Sequence, residues 1–409
     1  MKLTNQHQEA FEKFSKLKVG ALFMEQGTGK TRVAIDLIHS TDCDFVLFLC
    51  PFSTKSNLLN EIEKWKLDRP FEIVGYETIS SSDSKYLDLL SLCKEYEKIF
   101  VVADESVFIK NDSNRRYNRI LKLRDLSEYR LILNGTPITK DEWDIYNQMN
   151  FLSPKIIGMQ RNEFLRTFFK HVKYKKRGQP QREFYKLSKV NIGYLHRLIE
   201  PYIFEADLKF DKAETTKMIN IQASNDAYEA YQSAKEQLLE SLKFGECGVE
   251  MFVNLANICF RDVERHKQIA KYLFGKTIVF CTLLEEVKNI ADQIDCYVIT
   301  GETKNRGEII EQFKNDNKPL LMTFGTGAFG LNLQFCNRVA FSSLTYDYAK
   351  IEQAKARIRR IGQTRDIEYI YFTSDLGIFN MIQENVSKKM RLEELIIKKI
   401  KEGEIDEYI

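Results

Sequence analysis

Val19-Gly20-Ala21-Leu22-Phe23-Met24, followed directly by Glu25-Gln26-Gly27-Thr28-Gly29-Lys30-Thr31, decides how the first part of the chain folds. The first six residues form a short apolar run without polar alternation, as in a parallel strand buried on both faces. The next seven form a glycine-containing turn that opens onto residues 30–39, where apolar side chains return at helical spacing. Strand, glycine turn and helix in that order let backbone N–H groups and a helix N-terminus approach phosphate oxygens. On this reading Gly27, Thr28 and Gly29 line a phosphate loop. Lys30 reaches the β- and γ-phosphates, and the Thr31 hydroxyl is offered to Mg²⁺. The strict pattern G-x-x-x-x-G-K-S/T would place a glycine at position 24, where this chain has Met24.

Working outward, short apolar runs recur at residues 45–49, 71–74, 99–103 and 130–133, with helical stretches such as 55–65 between them. A second series follows at 277–281, 297–300, 320–324, 338–341 and 367–372, with helical stretches at 283–294, 306–315 and 348–360. Both series predict α/β doubly wound parallel sheets. Between them, long polar–apolar stretches at 226–242 and 249–273 predict a mostly helical insertion. The expected divisions are therefore 1–154, 155–274 and 275–409, with a final helix over 378–400 packed on the second lobe.

Composition bounds the chemistry. The 409 residues are 44% hydrophobic and 29% charged, ordinary for a globular protein. No apolar run reaches the roughly 20 residues of a membrane helix, and Met1 to Gln6 lacks a signal-like apolar core. The eight cysteines show no paired spacing and the five histidines no metal-spaced cluster. A reducing, cytoplasmic setting is expected, with the nucleus as the alternative. With 61 basic and 58 acidic residues, net charge is only +3, so any polyanion footprint is local. The local candidate is 170–182, with Lys170, Lys173, Lys175, Lys176, Arg177 and Arg182 and no acid among them. It reads equally as a solvated loop or as a phosphate-contacting one.

Asp104-Glu105 ends the run at 99–103. Acids are poor core residues but sit well at the strand ends where open α/β sheets bind ligands. Asp104 is assigned to Mg²⁺, and Glu105 to orienting and deprotonating an attacking water. In the second series, Gln353 to Gln363 contains Arg357 and Arg360, three apart and on one face if helical. Two guanidinium groups there suit the spread charge of a phosphoryl transition state. Arginines on one lobe answering a nucleotide on the other would couple hydrolysis to lobe closure.

These motifs together resemble the Swi/Snf branch of the superfamily-two helicase-like translocases. His7-Gln8 resembles its adenine-reading motif, residues 24–31 its nucleotide loop, and 49–55 (Leu-Cys-Pro-Phe-Ser-Thr-Lys) its first DNA-contacting motif. Residues 104–111 resemble the acidic box, 133–138 and 150–154 the third motif and the helix after it, 323–333 the fifth, and 357–363 the sixth. The resemblance implies two RecA-like lobes and an ATPase that tracks along duplex DNA using ATP and Mg²⁺. It implies Gln8, Arg32 and Gly330 as further nucleotide contacts and Gln353 as a companion to the two arginines. It places Lys55, Thr136 and Thr323 near the DNA backbone, where contacts are to phosphate and read no sequence. Double-stranded DNA is the expected partner, with single-stranded DNA and RNA as alternatives. A membrane is not expected, and the chain is expected to act as a monomer. A strand-separating helicase and a non-hydrolysing DNA-binding scaffold are the competing readings.

Two departures stand out. The family pattern has Gly-His after Asp-Glu, whereas this chain has Ser106-Val107. Val107 cannot hydrogen-bond, so a bridge from the acidic box to the third motif is expected to be missing, with coupling left to the arginines. The motifs also begin by about residue 7 and end near the last strand, which leads to the expectation of a nearly bare motor from a viral, plasmid or bacterial setting.

Overall fold

The computed structural model describes residues 5–110, 115–135, 143–174, 182–188, 190–208, 210–244, 248–327, 331–360, 362–387, 395–396, 399–400, 404–405 and 409. The chain forms two compact units, Met1–Lys209 and Phe210–Ile409.

The first unit contains β1 (Val19–Met24), β2 (Phe45–Cys50), β3 (Phe71–Gly75), β4 (Ile99–Asp104), β5 (Tyr129–Asn134), β6 (Phe169–Tyr174), β7 (Arg182–Leu187) and β8 (Ile203–Ala206). Six of them build a parallel sheet in the order β3-β2-β4-β5-β1-β8, and β6 and β7 pair as a separate antiparallel hairpin. Successive residues of a strand point to opposite faces. Leu22, Val46, Phe48, Phe100, Val102 and Leu131 therefore pack with Val33, Ile35 and Leu58 on one face. Ala21, Phe23, Leu47, Leu49, Val101 and Ile132 pack with Ile120, Met149, Phe164 and Phe168 on the other. Burial on both faces removes the polar alternation, which is why these strands read as continuous apolar runs.

The second unit contains β9 (Glu214–Ile221), β10 (Ile278–Cys281), β11 (Tyr297–Ile299), β12 (Leu320–Thr323), β13 (Arg338–Phe341) and β14 (Ile367–Ser374). They form a parallel sheet in the order β11-β12-β10-β13-β14-β9. Two parallel-sheet α/β lobes are thus present, as the sequence patterns predict.

The stretch 155–274 is not a third unit. Phe164, Phe168, Leu195 and Ile199 belong to a core of the first lobe. Tyr231, Leu238, Phe252 and Leu255 belong to the main core of the second. Amphipathic helices must bury their apolar face, and here each set buries it on the adjacent sheet. Each half of the stretch also supplies an edge strand, β8 beside β1 and β9 beside β14. The predicted helix over 249–273 is two, Val249–Phe260 and Val263–Ala270. Asp262 breaks it, because its carboxylate accepts the Glu264 N–H at 3.1 Å as an N-cap and the Ser224 N–H at 2.9 Å. The C-terminal helix is described over Ile378–Ser387. Among the described residues, no helix is long and apolar enough to cross a membrane.

Candidate active site

The phosphate loop leaves the carboxyl end of β1 and enters the helix Lys30–His39. Gly27 and Gly29 take φ of 85° and 88°, the left-handed region in which a side chain is strained. Gly29 is constrained twice, since a Cβ there would meet His7 Nε2 at 2.7 Å. Among the described residues no side chain caps the N-terminus of this helix, and the orphan N–H groups of a helix's first turn are the ones that receive phosphate oxygens. Lys30 Nζ donates to the carbonyls of Met24 (2.8 Å) and Glu25 (3.3 Å), so the ammonium lies over the loop itself. The Thr28 hydroxyl donates to the Glu25 carbonyl at 2.6 Å and tightens the turn. Thr31 lies one residue into the helix and is half-buried.

The acidic pair closes the same end of the sheet. Asp104 is the last residue of β4, and Glu105 follows with φ 51° and ψ 56°, an uncommon conformation for a side chain of its size. The strand end is held by the Tyr76 hydroxyl, which donates to the Asp104 carbonyl at 2.8 Å, and by the Glu105 N–H donating to Asp104 Oδ1 at 3.0 Å. Burial first, and the Glu105 charge second, push the Asp104 carboxyl up to about 7, while Lys30 pulls it down. Asp104 thus feels both the Glu105 carboxylate and the Lys30 ammonium.

These residues fit a nucleotide with its magnesium ion. Among the described residues, no three His, Cys, Asp or Glu side chains cluster as a metal site. One hydroxyl and one carboxylate suit an ion that shares its remaining ligands with substrate phosphates and water. Thr31 and Asp104 would hold it, and when bound it would neutralise phosphate charge. Beside the loop is a pocket of ≈ 540 Å³ lined by Gln6, Phe23, Glu25, Gly135, Glu205, Ala206 and Asp207. That volume is in the range of nucleotide-sized ligands. Its carboxylates repel phosphate and accept from amino and hydroxyl donors.

The remaining nucleotide assignments are less direct. Gln8 is exposed and donates to Glu12 at 2.9 Å. Its neighbour His7 is buried and reaches the loop, with Nε2 2.5 Å from the Thr28 carbonyl, and Gln6 faces the pocket. The regular turn of the helix Asn5–Phe14 distributes the three residues in this way, and the apolar spacing of Ala10 and Phe14 would have placed position 7 on the buried face. The Arg32 guanidinium lies 4.1 Å over the Trp65 ring and its Nε contacts Asp36 at 3.4 Å. Gly330 lies outside the described residues.

In the second lobe the helix Tyr348–Lys355 ends before the arginines, so Arg357 and Arg360 stand in tight turns and do not share a helical face. Arg357 is 3% exposed and donates to the carbonyls of Gln353 (3.2 Å) and Leu331 (3.4 Å). Arg360 is half-buried, donating to the Ala356 carbonyl at 2.7 Å and to Asn332. Both brace the segment 331–333. The Gln353 side-chain oxygen is buried and has no hydrogen-bond partner among the described residues. Thr323 ends β12, its hydroxyl 3.0 Å from that of Thr326.

Of the other nucleic-acid candidates, Lys55 is exposed at the start of the helix Lys55–Lys64. Lys173 lies in β6, but its side chain is outside the described residues, as are Thr136, Lys175, Lys176 and Arg177. The expectation of a missing bridge is corrected. Val107 is half-buried and takes no part, but Ser106 bonds to Asn134 of the third motif at 3.4 Å and to Gln148 at 2.5 Å. The sequence signal was Ser106 itself, a hydroxyl beside an acidic strand end.

Two parallel-sheet lobes, with a phosphate loop and strand-end acids in the first, define the two-lobed helicase-like ATPases of superfamily two. A family model of the SNF2-related domain matches residues 67–271, half of the chain, and one of the helicase conserved C-terminal domain matches 263–362. The chain belongs to the SNF2-related family. It is similar to the chromatin structure-remodeling complex subunit snf21 of Schizosaccharomyces pombe, 24% identical over 92% of this chain and 37% of that protein. It is similar to the DNA repair and recombination protein RAD54-like of Danio rerio, 23% identical over 89% of this chain and 62% of that one. Among solved structures it resembles the Sulfolobus solfataricus SWI2/SNF2 ATPase core in complex with dsDNA, at 22% identity, TM-score 0.44, over 100% of this chain and 95% of that chain. The chain spans 37%, 27% and 39% of the length of the first three curated relatives it matches.

Proposed function

We propose that the chain is a DNA-stimulated ATPase that translocates along double-stranded DNA and so remodels or clears what is bound there. The observation that carries the hydrolytic part is the strained Glu105 beside Asp104, with Lys30 close enough to act on the Asp104 carboxyl. A residue held in a costly backbone conformation next to a phosphate loop serves chemistry, because binding alone does not require it. The same observation speaks against a non-hydrolysing scaffold. DNA as the track is supported by family membership, by relatives named for chromatin remodelling and for DNA repair and recombination, and by the exposed Lys55 following β2.

In this reading Lys30 leaves its loop carbonyls for the phosphates of ATP. Glu105 takes the proton of the attacking water, and the loop N–H groups hold the phosphates in place. The test is ATP turnover titrated with duplex DNA, single-stranded DNA and RNA at fixed, stated salt, since such contacts are salt-dependent. Duplex DNA should stimulate most, and turnover absent with every polymer would sink the motor.

One structural feature favours a second reading as a strand-separating helicase, namely the β6–β7 hairpin standing outside the six-stranded sheet. Strand displacement measured beside triplex displacement separates the two, because a duplex tracker removes only the third strand.

The arginines should divide their roles. Arg357→Ala leaves the partly buried carbonyls of Gln353 and Leu331 without this donor and should cost about 1–3 kcal/mol of stability, read as a lower denaturation midpoint. Arg360→Ala should fold normally and spare ATP binding more than turnover. Equal losses of affinity and turnover in Arg360→Ala would count against that role.

A further inference from the structure

The pocket beside the phosphate loop is walled by acids. Glu205 belongs to β8, and Asp207 follows directly after that strand. Both are exposed and both line the ≈ 540 Å³ cavity, together with Gln6 and Glu25. Among the described residues, the Glu205 and Asp207 carboxylates make no hydrogen bond and no ion pair. Their backbone, by contrast, is tightly held. The Glu25 N–H donates to the Ala206 carbonyl at 2.8 Å. The Gln6 amide donates to the Asp207 carbonyl at 2.9 Å, and the Leu208 N–H to the Glu25 carboxylate at 2.7 Å. In the parallel pairing of β1 with β8, Phe23 lies opposite Glu205, so the two side chains share a face. Phe23 lines the same cavity. The two carboxylates are thus set in place by bonds that leave their own oxygens available.

Carboxylates beside a polyphosphate repel it, so these acids suit a part of the nucleotide that carries no charge. An ionised carboxylate accepts hydrogen bonds and donates none. When phosphates occupy the loop, the nearest group with donors to offer is the ribose. It is joined directly to the α-phosphate and carries two adjacent hydroxyls. The amino group of a base lies farther out, beyond the sugar. Acids at the carboxyl edge of an α/β sheet are chemically suited to ribose hydroxyls.

We propose that Glu205 and Asp207 bind the ribose hydroxyls of the nucleotide and make the site select ribonucleotides over deoxyribonucleotides. The proposal rests on the reading of the phosphate loop as an ATP site, and it adds the sugar to what that site recognises. Sites built to hydrogen-bond a substrate hydroxyl discriminate well against analogues that lack it, because the acceptor is then left without its donor.

The test is calorimetric titration of the full chain, in Mg²⁺, with unlabelled ADP, 2′-deoxy-ADP, 3′-deoxy-ADP and IDP. Binding is read directly and no turnover is needed. IDP keeps the ribose and lacks the amino group of adenine. The wild type should bind ADP and IDP within about threefold of each other, and each deoxy nucleotide roughly tenfold more weakly. In the double variant Glu205→Ala/Asp207→Ala the deoxy penalty should shrink to within about twofold. Both residues are exposed, so the thermal midpoint should hold. Should the double variant not fold, the two single variants carry the measurement. Deoxy nucleotides bound by the wild type as tightly as ADP overturn the proposal and leave the ATP reading intact. A penalty that survives in a folded double variant also overturns it, because another group then reads the sugar. Weak IDP binding that the double variant restores overturns it in favour of a base contact. A wild type that binds none of the four nucleotides overturns the underlying reading, and this selectivity with it.

Discussion

Lys30→Ala leaves ATP hydrolysis at least about 100-fold below wild type, a loss of ~2.7 kcal/mol or more in transition-state stabilisation. The side chain is the one ammonium that the structure places on the phosphate loop among the described residues, bonded to the Met24 and Glu25 carbonyls. Carbonyl partners from its own loop are exchangeable, so the charge can pass to phosphate without leaving a buried ion unpaired. In the alanine variant the phosphates lose their nearest positive charge, and the Asp104 carboxyl loses the group that pulls it down. Both effects weaken the site for nucleotide and magnesium, so binding falls with turnover. The fold should survive, because Lys30 is half-buried and the helix behind it is packed through Val33, Ile35 and Leu37. Turnover and nucleotide affinity, measured beside the thermal midpoint, check this. A well-folded variant within about tenfold of wild-type turnover would remove Lys30 from the chemistry.

Glu105→Gln should separate the two properties that Lys30→Ala loses together. Glutamine keeps the length of the side chain and makes the same demand on the backbone at φ 51°, so the strand end should be undisturbed. What disappears is the carboxylate proposed to accept the water proton, and turnover should fall by about 10²–10⁴-fold. Binding should follow the opposite course. The Glu105 charge is the second cause of the raised Asp104 carboxyl. Removing it lowers that group toward its ordinary range and leaves a larger share ionised at neutral pH, as a magnesium ligand must be. Fluorescent-nucleotide titration with Mg²⁺ should therefore show affinity equal to or better than wild type, with hydrolysis nearly gone. Turnover within threefold of wild type, or affinity lost in parallel, would contradict the role of general base.

Much of this was legible in the sequence because parallel sheets announce themselves. The runs in β1, β2, β4 and β13 read correctly since both faces are buried, and the phosphate loop and acidic pair sit where strand ends place them. The missed parts had physical reasons. β9 is Glu-Thr-Thr-Lys-Met-Ile-Asn-Ile with one buried residue, an edge strand held by backbone bonds to β14, so no apolar run marks it. β8 is four residues long, too short for a pattern. The hairpin of β6 and β7 lay in a segment whose charge suggested a loop. Apolar periodicity ran straight through Asp262 because a cap interrupts the backbone without changing the side-chain rhythm. The end of the helix at Lys355 was hidden in the same way, and with it the burial of Arg357. Ser106 escaped because its partners lie 28 and 42 residues away, on elements whose contact only the fold creates.

The left-handed backbone at Glu105 has an evolutionary consequence. Glycine, or to a lesser degree asparagine, fits that conformation with less strain, by roughly 1–2 kcal/mol for glycine. A lineage or library selected only for folding would therefore drift toward glycine at position 105, improving as a polymer while losing its chemistry. Retention of an acid against that gradient marks selection for turnover, so the residue found at 105 in any descendant of this chain reports whether the motor is still in use.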